Sequence, residues 1–580
     1  MNELSTLNPD VLSRLNLQSD GDQWSIVWPD DTNIYHMTVG KHLDAASRDR
    51  PAMIFEQEDG SVLTWTFAEI DTASTNLASA LRDLGYTRGD LIGLHTGQHP
   101  DTAIAHMAVC KLGAVAVTLS QLYGPQTLQH AMNDCELKVL LTSQSSWESL
   151  RAQAASLFPH LEHVLLRNPL RSDATKRGSA ESGSRMQELD LSVALDTKPK
   201  SFTPDFTGAN DPALLMYTSG SSGKPKGILH GHRVLAAYTP SINLFFDLSM
   251  QQDDAVYWSP SDWAWVGGLL DMLFPAWMAG CPIATSLERF SADVAYRFMA
   301  RHKVTHTFLA PTAIKRLAQH RSPRDEYDLS LRIICTGGEA LASDTLEWAE
   351  NSLGVVCNEF YGLTEVNHLI GNCCSLYPRV PGSMGRAYPG HRVHLVDPDG
   401  VEVADGEVGE IVTRADSPTR FLGYLNNPDK ESEMILGDYL RTRDLAVRDE
   451  NGYFWYKGRS DDLIKSSGFR IGPAEVEECL LAHASVAEVA VIAKPDAERG
   501  AIVKAFIKLR VGEHGSEPLV EALREQVRTR LAAYKAPREI EFVDEFVMTS
   551  SGKINRRVLR EAEIKQAQED SVIIHSGNSS

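Results

Sequence analysis

The apolar run ALLMY at residues 213–217 leads directly into the decapeptide TSGSSGKPKG at residues 218–227. Its glycines allow backbone N–H groups to approach an anion, its hydroxyl side chains can donate to phosphate oxygens, and its lysines offset negative charge. The alternative without a binding role is a flexible Gly/Ser linker, but linkers rarely carry this pattern of lysines and a proline directly after a buried strand. The stretch therefore predicts a strand followed by a phosphate-binding loop.

A Walker A loop is the natural competitor for this assignment. That motif requires Gly, four residues, and then Gly-Lys-Ser/Thr. Here Thr218 stands five positions before Gly223, and Pro225 follows Lys224. The sequence thus excludes a P-loop NTPase on both counts.

Composition bounds the protein class. The 580 residues are 43% hydrophobic and 23% charged, which predicts several packed structural units and excludes extensive disorder. The 56 basic and 77 acidic residues give a net charge of −21, which favours solubility and argues against a general nucleic-acid binder. The N-terminal residues lack the pattern of a secretory signal, and the eight cysteines form no CxxC pair, so we expect reduced thiols and a cytoplasmic protein.

Short apolar runs alternate with amphipathic stretches between about residues 50 and 425, which predicts an α/β architecture with mixed or parallel sheets flanked by helices. Residues 169–212 are polar and predict a surface excursion. The apolar window 263–281 contains Asp271, Pro275 and several glycines, and favours buried protein over a membrane span. Beyond residue 458 a small α+β unit is predicted. We expect a large N-terminal domain at 1–458, a mobile C-terminal domain at 459–566 and a tail at 567–580.

Further motifs follow the phosphate loop in a characteristic order. They are GGEAL at 337–341, YGLTE at 361–365, TRDL at 442–445, GRSDDLIKSSGFRIGPAEVE at 458–477 and SGKINR at 551–556. With TSGSSGKPKG, this set resembles the adenylate-forming superfamily, and within it the AMP-forming acyl-CoA synthetases of short- and medium-chain type. The resemblance implies that a carboxylic acid reacts with ATP to give an acyl-AMP, from which CoA accepts the acyl group.

The resemblance also implies an ATP site. Thr364 would contact phosphate, Glu365 would help hold Mg²⁺, and Asp444 would accept hydrogen bonds from the ribose hydroxyls. Arg459 and Arg470 would lie near the ribose and the α-phosphate. The remaining residues form the phosphate loop and the adenine pocket, namely Thr218, Ser219, Gly220, Ser221, Ser222, Gly223 and Lys224, and Gly338, Glu339, Ala340 and Tyr361.

The resemblance also implies roles for three C-terminal residues at successive stages of the reaction. Lys553 would bridge the carboxylate and the α-phosphate during adenylation, Asp461 would be the hinge of a domain rotation, and Gly468 would line the pantetheine tunnel of CoA. A lysine of this kind is acylated in some relatives, so the resemblance also admits a lysine acyltransferase or deacylase as a partner, and an oligomer. Arg499, Lys535 and Arg538 are candidates for the CoA phosphates on charge alone, with ordinary surface roles equally consistent.

The acyl pocket is the least determined part of the site. WSPSDWAWVGG at 258–268 resembles the acyl-pocket segment of these enzymes, with Trp265 at their shared tryptophan. Gly362 stands where acetate-specific relatives carry tryptophan, which implies room for a larger acid. Trp263 replaces a smaller residue and Val366 follows Glu365 where glycine is frequent. Trp263 would refill the opened space and favour a compact or branched acid, or it simply packs in the core.

Two other functions stay open at this stage. One is a different adenylate-forming enzyme, such as an aryl- or amino-acid-adenylating enzyme or a luciferase-like oxygenase. The other is a catalytically silent nucleotide sensor, against which the presence of Lys553, Glu365 and Asp444 argues. His230 and His232 are spaced like a metal pair, but no neighbouring ligand cluster completes a site, so we expect structural roles.

Overall fold

The computed structural model describes residues 4, 7, 9–20, 23–167, 186–199, 201–218, 225–320, 322–339, 341, 343–460, 462–466, 469–496, 499–549 and 554–565. These residues divide into two compact units. The first contains the described residues of 1–220, 224–393 and 413–438, and the second those of 394–412 and 439–580. The predicted boundary near residue 458 and the tail at 567–580 stay predictions. No helix among the described residues combines the length and apolarity that crossing a membrane requires.

The first unit contains two large sheets. Strands of the first sheet, in spatial order, are Gly423–Tyr424, Lys226–Gly231, Pro212–Thr218, Val115–Thr118, Leu91–His95, Val139–Ser143, His163–Arg167 and Gln187–Asp190. Strands of the second are Gly385–Ala387, Asn367–Gly371, Val356–Leu363, Ile333–Gly337, His306–Phe308, Tyr257–Trp258, Ile283–Ser286, Pro51–Glu56 and Val62–Thr66. The central strands of both sheets are parallel, and antiparallel pairs flank them. This confirms the predicted α/β fold.

Helices cover these sheets. In the first unit they are Pro9–Ser13, Ile34–Met37, Phe67–Asp83, Pro100–Leu112, Pro125–Asp134, Gln144–Arg151, Ala154–Leu157, Leu191–Asp196, Arg233–Phe245, Val266–Gly268, Phe274–Ala279, Ala292–Arg301, Pro311–Leu317, Pro323–Glu326, Ser343–Leu353 and Pro428–Ser432, with a π-helix at Leu269–Leu273. The polar segment 169–212 also contributes the edge strand Gln187–Asp190, which the expectation of a surface excursion missed. Its side chains are mostly exposed, so no apolar run marks it.

The second unit is smaller. Its strands are Tyr439–Arg448 and Tyr453–Arg459, a hairpin of Ile464–Ser466 with Phe469–Ile471, and a sheet of Val486–Asp496, Gly500–Leu509 and Glu539–Phe542. Strands Val393–Val396 and Val408–Arg414 also pair in this region. Helices Pro473–Leu481 and Glu517–Arg530 pack against the three-stranded sheet, as the apolar spacing of the sequence predicts. Pro473 occupies the first turn of its helix, where a missing N–H costs nothing.

Helix Pro100–Leu112 is buried along its whole length, including Lys111. The ammonium of Lys111 donates to the carboxylate of Asp71 at 2.5 Å and to the hydroxyl of Thr75 at 2.7 Å. The hydroxyl of Tyr35 donates to the same Asp71 oxygen at 2.6 Å. Because a buried charge is tolerated only when it is paired, Asp71 permits this helix to pass through the core.

We predict that Asp71→Ala destabilises the first unit by about 3 kcal/mol, because it leaves Lys111 buried without its counter-ion. The denaturant midpoint of unfolding, followed by intrinsic fluorescence, measures the loss. Asp328→Ala is the matched control, since it removes the partner of the exposed Lys303 and should leave the midpoint unchanged. Equal midpoints for the two variants would contradict the importance of the buried pair.

Candidate active site

The phosphate-loop motif lies in an antiparallel hairpin. Strand Pro212–Thr218 pairs with strand Lys226–Gly231, and Thr218 is the partner of Lys226. Residues 219–224 lie outside the described residues, so the roles of Ser219, Gly220, Ser221, Ser222, Gly223 and Lys224 stay predictions. In a Walker A site a helix follows the phosphate loop, whereas here the strand Lys226–Gly231 follows the motif. This agrees with the exclusion of a P-loop NTPase.

The YGLTE motif lies at the turn of a second antiparallel hairpin. Strands Val356–Leu363 and Asn367–Gly371 pair with an irregularity between Tyr361 and Gly362. Thr364 and Glu365 occupy the turn and are half-buried. The turn therefore presents a hydroxyl and a carboxylate side by side.

Residues 421–424 join the two hairpins. The backbone N–H of Leu422 donates to the carbonyl of Leu229 at 2.7 Å, and the N–H of Phe421 donates to the carbonyl of Glu365 at 2.8 Å. The hydroxyl of Tyr424 donates to the carboxylate of Glu365 at 2.7 Å. Tyr424 is also the strand partner of Ile228 in the phosphate-loop hairpin. The joining segment 421–424 thus holds the Glu365 turn and the phosphate-loop hairpin together.

Two histidines support this arrangement. Burial lowers the pKa of His230 to about 4, and its ring contacts the backbone of Thr364. Nδ1 of His232 accepts a hydrogen bond from the N–H of Ile34 at 3.2 Å. Both rings are therefore neutral and structural, and no group of three or more His, Cys, Asp or Glu side chains among the described residues could hold a metal ion.

Glu359 was not anticipated from the sequence. It lies two residues before Tyr361, and its carboxylate accepts a hydrogen bond from the N–H of Leu341 at 3.3 Å. Burial raises the pKa of Glu359 to about 7. It therefore steadies the end of the GGEAL loop, in which Gly338 has a φ of +86°, a conformation suited to glycine. Ala340 lies outside the described residues.

The second unit carries Asp444, which is 7% exposed. Its carboxylate accepts a hydrogen bond from the hydroxyl of Tyr456 at 3.2 Å and lies 3.4 Å from the guanidinium of Arg459. Asp444 and Arg459 are partners on the antiparallel strands Tyr439–Arg448 and Tyr453–Arg459. The structure thus brings together the predicted ribose carboxylate and one predicted arginine.

Several predicted C-terminal positions fall outside what the structure describes. Asp461, Gly468 and Lys553 lie outside the described residues. Arg470 lies opposite Lys465 in the hairpin of residues 464–471, and its side chain is not described. Among the CoA candidates, Lys535 forms an ion pair with Glu475 at 2.6 Å. The assignments of these residues stay predictions.

The two tryptophans of the predicted acyl pocket enter different cores. Trp263 is 1% exposed and packs in the main core of the first unit. Trp265 is half-buried, with its ring edge-to-face against Tyr123 at 5.7 Å, and belongs to a second core. Trp263 is therefore a packed side chain, and its indole N–H has no hydrogen-bond partner among the described residues.

The structure gives another reason for Gly362. A Cβ there would lie 2.0 Å from the carbonyl oxygen of Asn367 and 3.1 Å from Cα of His368. Glycine is needed because the two hairpin strands approach each other closely, so this residue by itself does not open space for an acid. Val366 is 1% exposed beside it.

The sequence matches two family models, "AMP-binding enzyme" over residues 41–425 and "AMP-binding enzyme C-terminal domain" over residues 475–553. The chain belongs to the AMP-binding enzyme family. It is 32% identical over 540 residues to acetyl-coenzyme A synthetase of Bacillus subtilis (strain 168), covering 92% of this chain and 91% of that protein. It is 31% identical over 522 residues to the human mitochondrial acyl-coenzyme A synthetase ACSM4, covering 88% of this chain and 87% of that protein.

Among solved structures, the anthranilate CoA ligase AuaEII in complex with anthranoyl-AMP superposes with a TM-score of 0.78 at 28% identity, covering 93% of this chain and 99% of that one. The sequence resemblance is thereby confirmed: this member of the AMP-binding enzyme family is an AMP-forming acid–CoA ligase. A carboxylic acid, ATP and CoA as substrates fit this membership.

The hydrogen bond from Tyr424 to Glu365 indicates that Tyr424 orients this carboxylate. Glu365 fits a Mg²⁺ ligand, because a carboxylate oxygen beside a hydroxyl is a hard oxygen donor set. Tyr424→Phe should raise the Mg²⁺ concentration for half-maximal activity about tenfold, because a hydrogen bond to a charged group orients the carboxylate. Binding of Mn²⁺ in the presence of ATP, measured by electron paramagnetic resonance, should weaken to the same extent.

Tyr439→Phe is the matched control for this prediction. Its hydroxyl donates to the carboxylate of Glu402 at 3.1 Å, and neither residue belongs to the two joined hairpins. Unchanged Mn²⁺ binding in Tyr424→Phe, or an equal change in Tyr439→Phe, would contradict the positioning of Glu365 by Tyr424.

Proposed function

We propose that this enzyme activates a short- to medium-chain or compact branched carboxylic acid with ATP and transfers the acyl group to CoA. The observation that carries the proposal is the joining of the phosphate-loop hairpin to the Glu365 turn by residues 421–424. It places Thr218, Thr364 and Glu365 in one unit. Anthranoyl-AMP, named with the related ligase, is itself the adenylate of a compact acid.

In the first half-reaction a carboxylate oxygen of the acid attacks the α-phosphorus of ATP. The bond to the bridging oxygen breaks, and pyrophosphate leaves with its electron pair. In this proposal the hydroxyls of Thr218 and Thr364 donate to phosphate oxygens, and Lys553 bridges the carboxylate and the α-phosphate, as the resemblance implies. Mg²⁺ held by Glu365 would neutralise phosphate charge when it is bound. Because both reactants are anions, these groups act by positioning and charge stabilisation.

In the second half-reaction the sulfur of CoA attacks the acyl carbonyl. The thiol proton is released, the bond to the phosphate oxygen breaks, and AMP leaves. We propose that the predicted C-terminal domain at 459–566 rotates about Asp461 between the two half-reactions, so that Gly468 replaces Lys553 beside the acyl-AMP. Asp444 and Arg459 hold the ribose. The proposal also includes a cytoplasmic setting, an acyltransferase or deacylase that acts on Lys553, and an oligomeric form.

Lys553→Ala tests the division of roles. It should lower acid-dependent pyrophosphate release at least about 100-fold, because a bridging cation stabilises the charge that develops between the two anions. Formation of acyl-CoA from supplied acyl-AMP and CoA should stay within about threefold of the unmodified enzyme. Lys315→Ala, at an exposed position of helix Pro311–Leu317, is the control and should change neither rate. Equal loss of both half-reactions would refute the role of Lys553.

A further inference from the structure

Three side chains from three elements meet in the main core of the first unit. Tyr238 lies on helix Arg233–Phe245, Asp271 on the π-helix Leu269–Leu273, and His368 on strand Asn367–Gly371. The hydroxyl of Tyr238 donates to Oδ1 of Asp271, and Nε2 of His368 lies 3.4 Å from the same oxygen. The side chains of Asp271 and His368 are at most 1% exposed, and Tyr238 is fully buried. We name these residues the 271 cluster.

The 271 cluster has more hydrogen-bonding capacity than the chain satisfies. Oδ2 of Asp271 and Nδ1 of His368 have no hydrogen-bond partner among the described residues, whereas Nε2 of His368 faces Oδ1 of Asp271. Burial lowers the pKa of His368, so the ring is a neutral imidazole with one donor and one acceptor nitrogen. A buried carboxylate oxygen without a donor is costly. The cluster is therefore suited to a group that supplies an O–H or N–H.

Among the residues that the structure describes, no donor lies within hydrogen-bond distance of Oδ2 of Asp271. The ring centroid of Phe360 lies 3.6 Å from that of His368, and the centroid of Phe245 lies at 4.9 Å. Tyr388 is 6.1 Å away by the same measure, and its hydroxyl faces the carbonyl of Asn372 at 3.5 Å. Aromatic rings thus enclose the polar atoms. In such an apolar environment an unpaired polar group destabilises the fold most.

The position of the 271 cluster connects it to the acid. Asp271 lies on the segment that continues from Trp265, and Trp263 packs in the same core with an unpartnered indole N–H. His368 is the strand partner of Gly362, in the hairpin that carries Glu365. Both segments that the sequence assigns to the acyl pocket therefore lead to the cluster.

We propose that the 271 cluster recognises a hydroxyl or amino group at the end of the acid remote from its carboxylate. The substrate class is then a compact hydroxy- or amino-substituted carboxylic acid rather than an alkanoic acid. Asp271 accepts a hydrogen bond from the substrate, and His368 offers a second polar contact. A methyl group in the same place would leave Oδ2 of Asp271 without a donor. This inference rests on the proposed function, since it concerns the acid that the enzyme adenylates.

Matched pairs of acids test the proposal with the full-length enzyme. Each pair exchanges a terminal hydroxyl for a methyl group of similar size, such as 4-hydroxybenzoate with 4-methylbenzoate and 5-hydroxypentanoate with hexanoate, and 4-aminobenzoate is added. The best hydroxy or amino acid should exceed its methyl partner at least about 100-fold in kcat/KM for pyrophosphate release, because a site built around a hydrogen bond rejects the analogue that lacks it. A preference for the methyl acids, or none, would overturn the inference and leave the proposed function standing.

Asp271→Leu provides the second test. It should reduce the preference for the hydroxyl or amino acid to within about threefold, because kcat/KM for that acid falls when its hydrogen-bond acceptor is removed. The control is Thr413→Val, which removes another buried hydroxyl without a partner among the described residues and should keep the preference. An unchanged preference in folded Asp271→Leu would overturn the inference. If that variant does not fold, the acid pairs decide alone, and pyrophosphate release with none of the acids would overturn the inference and the proposed function together.

Discussion

The bond between Tyr424 and Glu365 is the constraint on which the rest of the site depends. Thr218 and Glu365 are far apart in sequence, and each lies at the end of its own hairpin in its own sheet. A two-stranded hairpin is marginally stable alone, so its turn is fixed only when other elements hold it. Residues 421–424 do this with two backbone hydrogen bonds and one side-chain hydrogen bond. The hydroxyls predicted to bind phosphate and the carboxylate proposed to hold Mg²⁺ can then be aligned before any substrate arrives.

The overall charge sets a second requirement. The chain carries a net charge of −21, yet the acid, ATP and CoA are all anions. Binding therefore depends on local positive potential, which we expect Lys224, Arg459, Arg470 and Lys553 to supply. Lys226, at the end of the phosphate-loop hairpin, lies 5.6 Å from the ring centroid of Tyr424. The same tyrosine thus contacts both a cation of the phosphate loop and the carboxylate of Glu365.

Much of the fold could be predicted from the sequence because its signals are local. Alternating apolar runs predicted the parallel sheets, and Pro473 marked the start of a helix. The roles of Tyr424, Glu359 and the 271 cluster could not be predicted, because each depends on contacts with residues distant in the chain. Gly362 shows the opposite failure: the absence of a side chain suggested space, but the backbone of Asn367 occupies it. Lys553, Asp461 and Gly468 stay predictions from the resemblance.

The most direct measurement of the central claim is the exchange of labelled pyrophosphate into ATP in the absence of CoA. If the joined hairpins form an adenylation site, the exchange depends strictly on an added acid and requires Mg²⁺. It stops when CoA consumes the acyl-AMP and excess pyrophosphatase hydrolyses the pyrophosphate. Exchange that is absent with every acid, or that proceeds equally without acid, would contradict the assignment of this site to carboxylate adenylation.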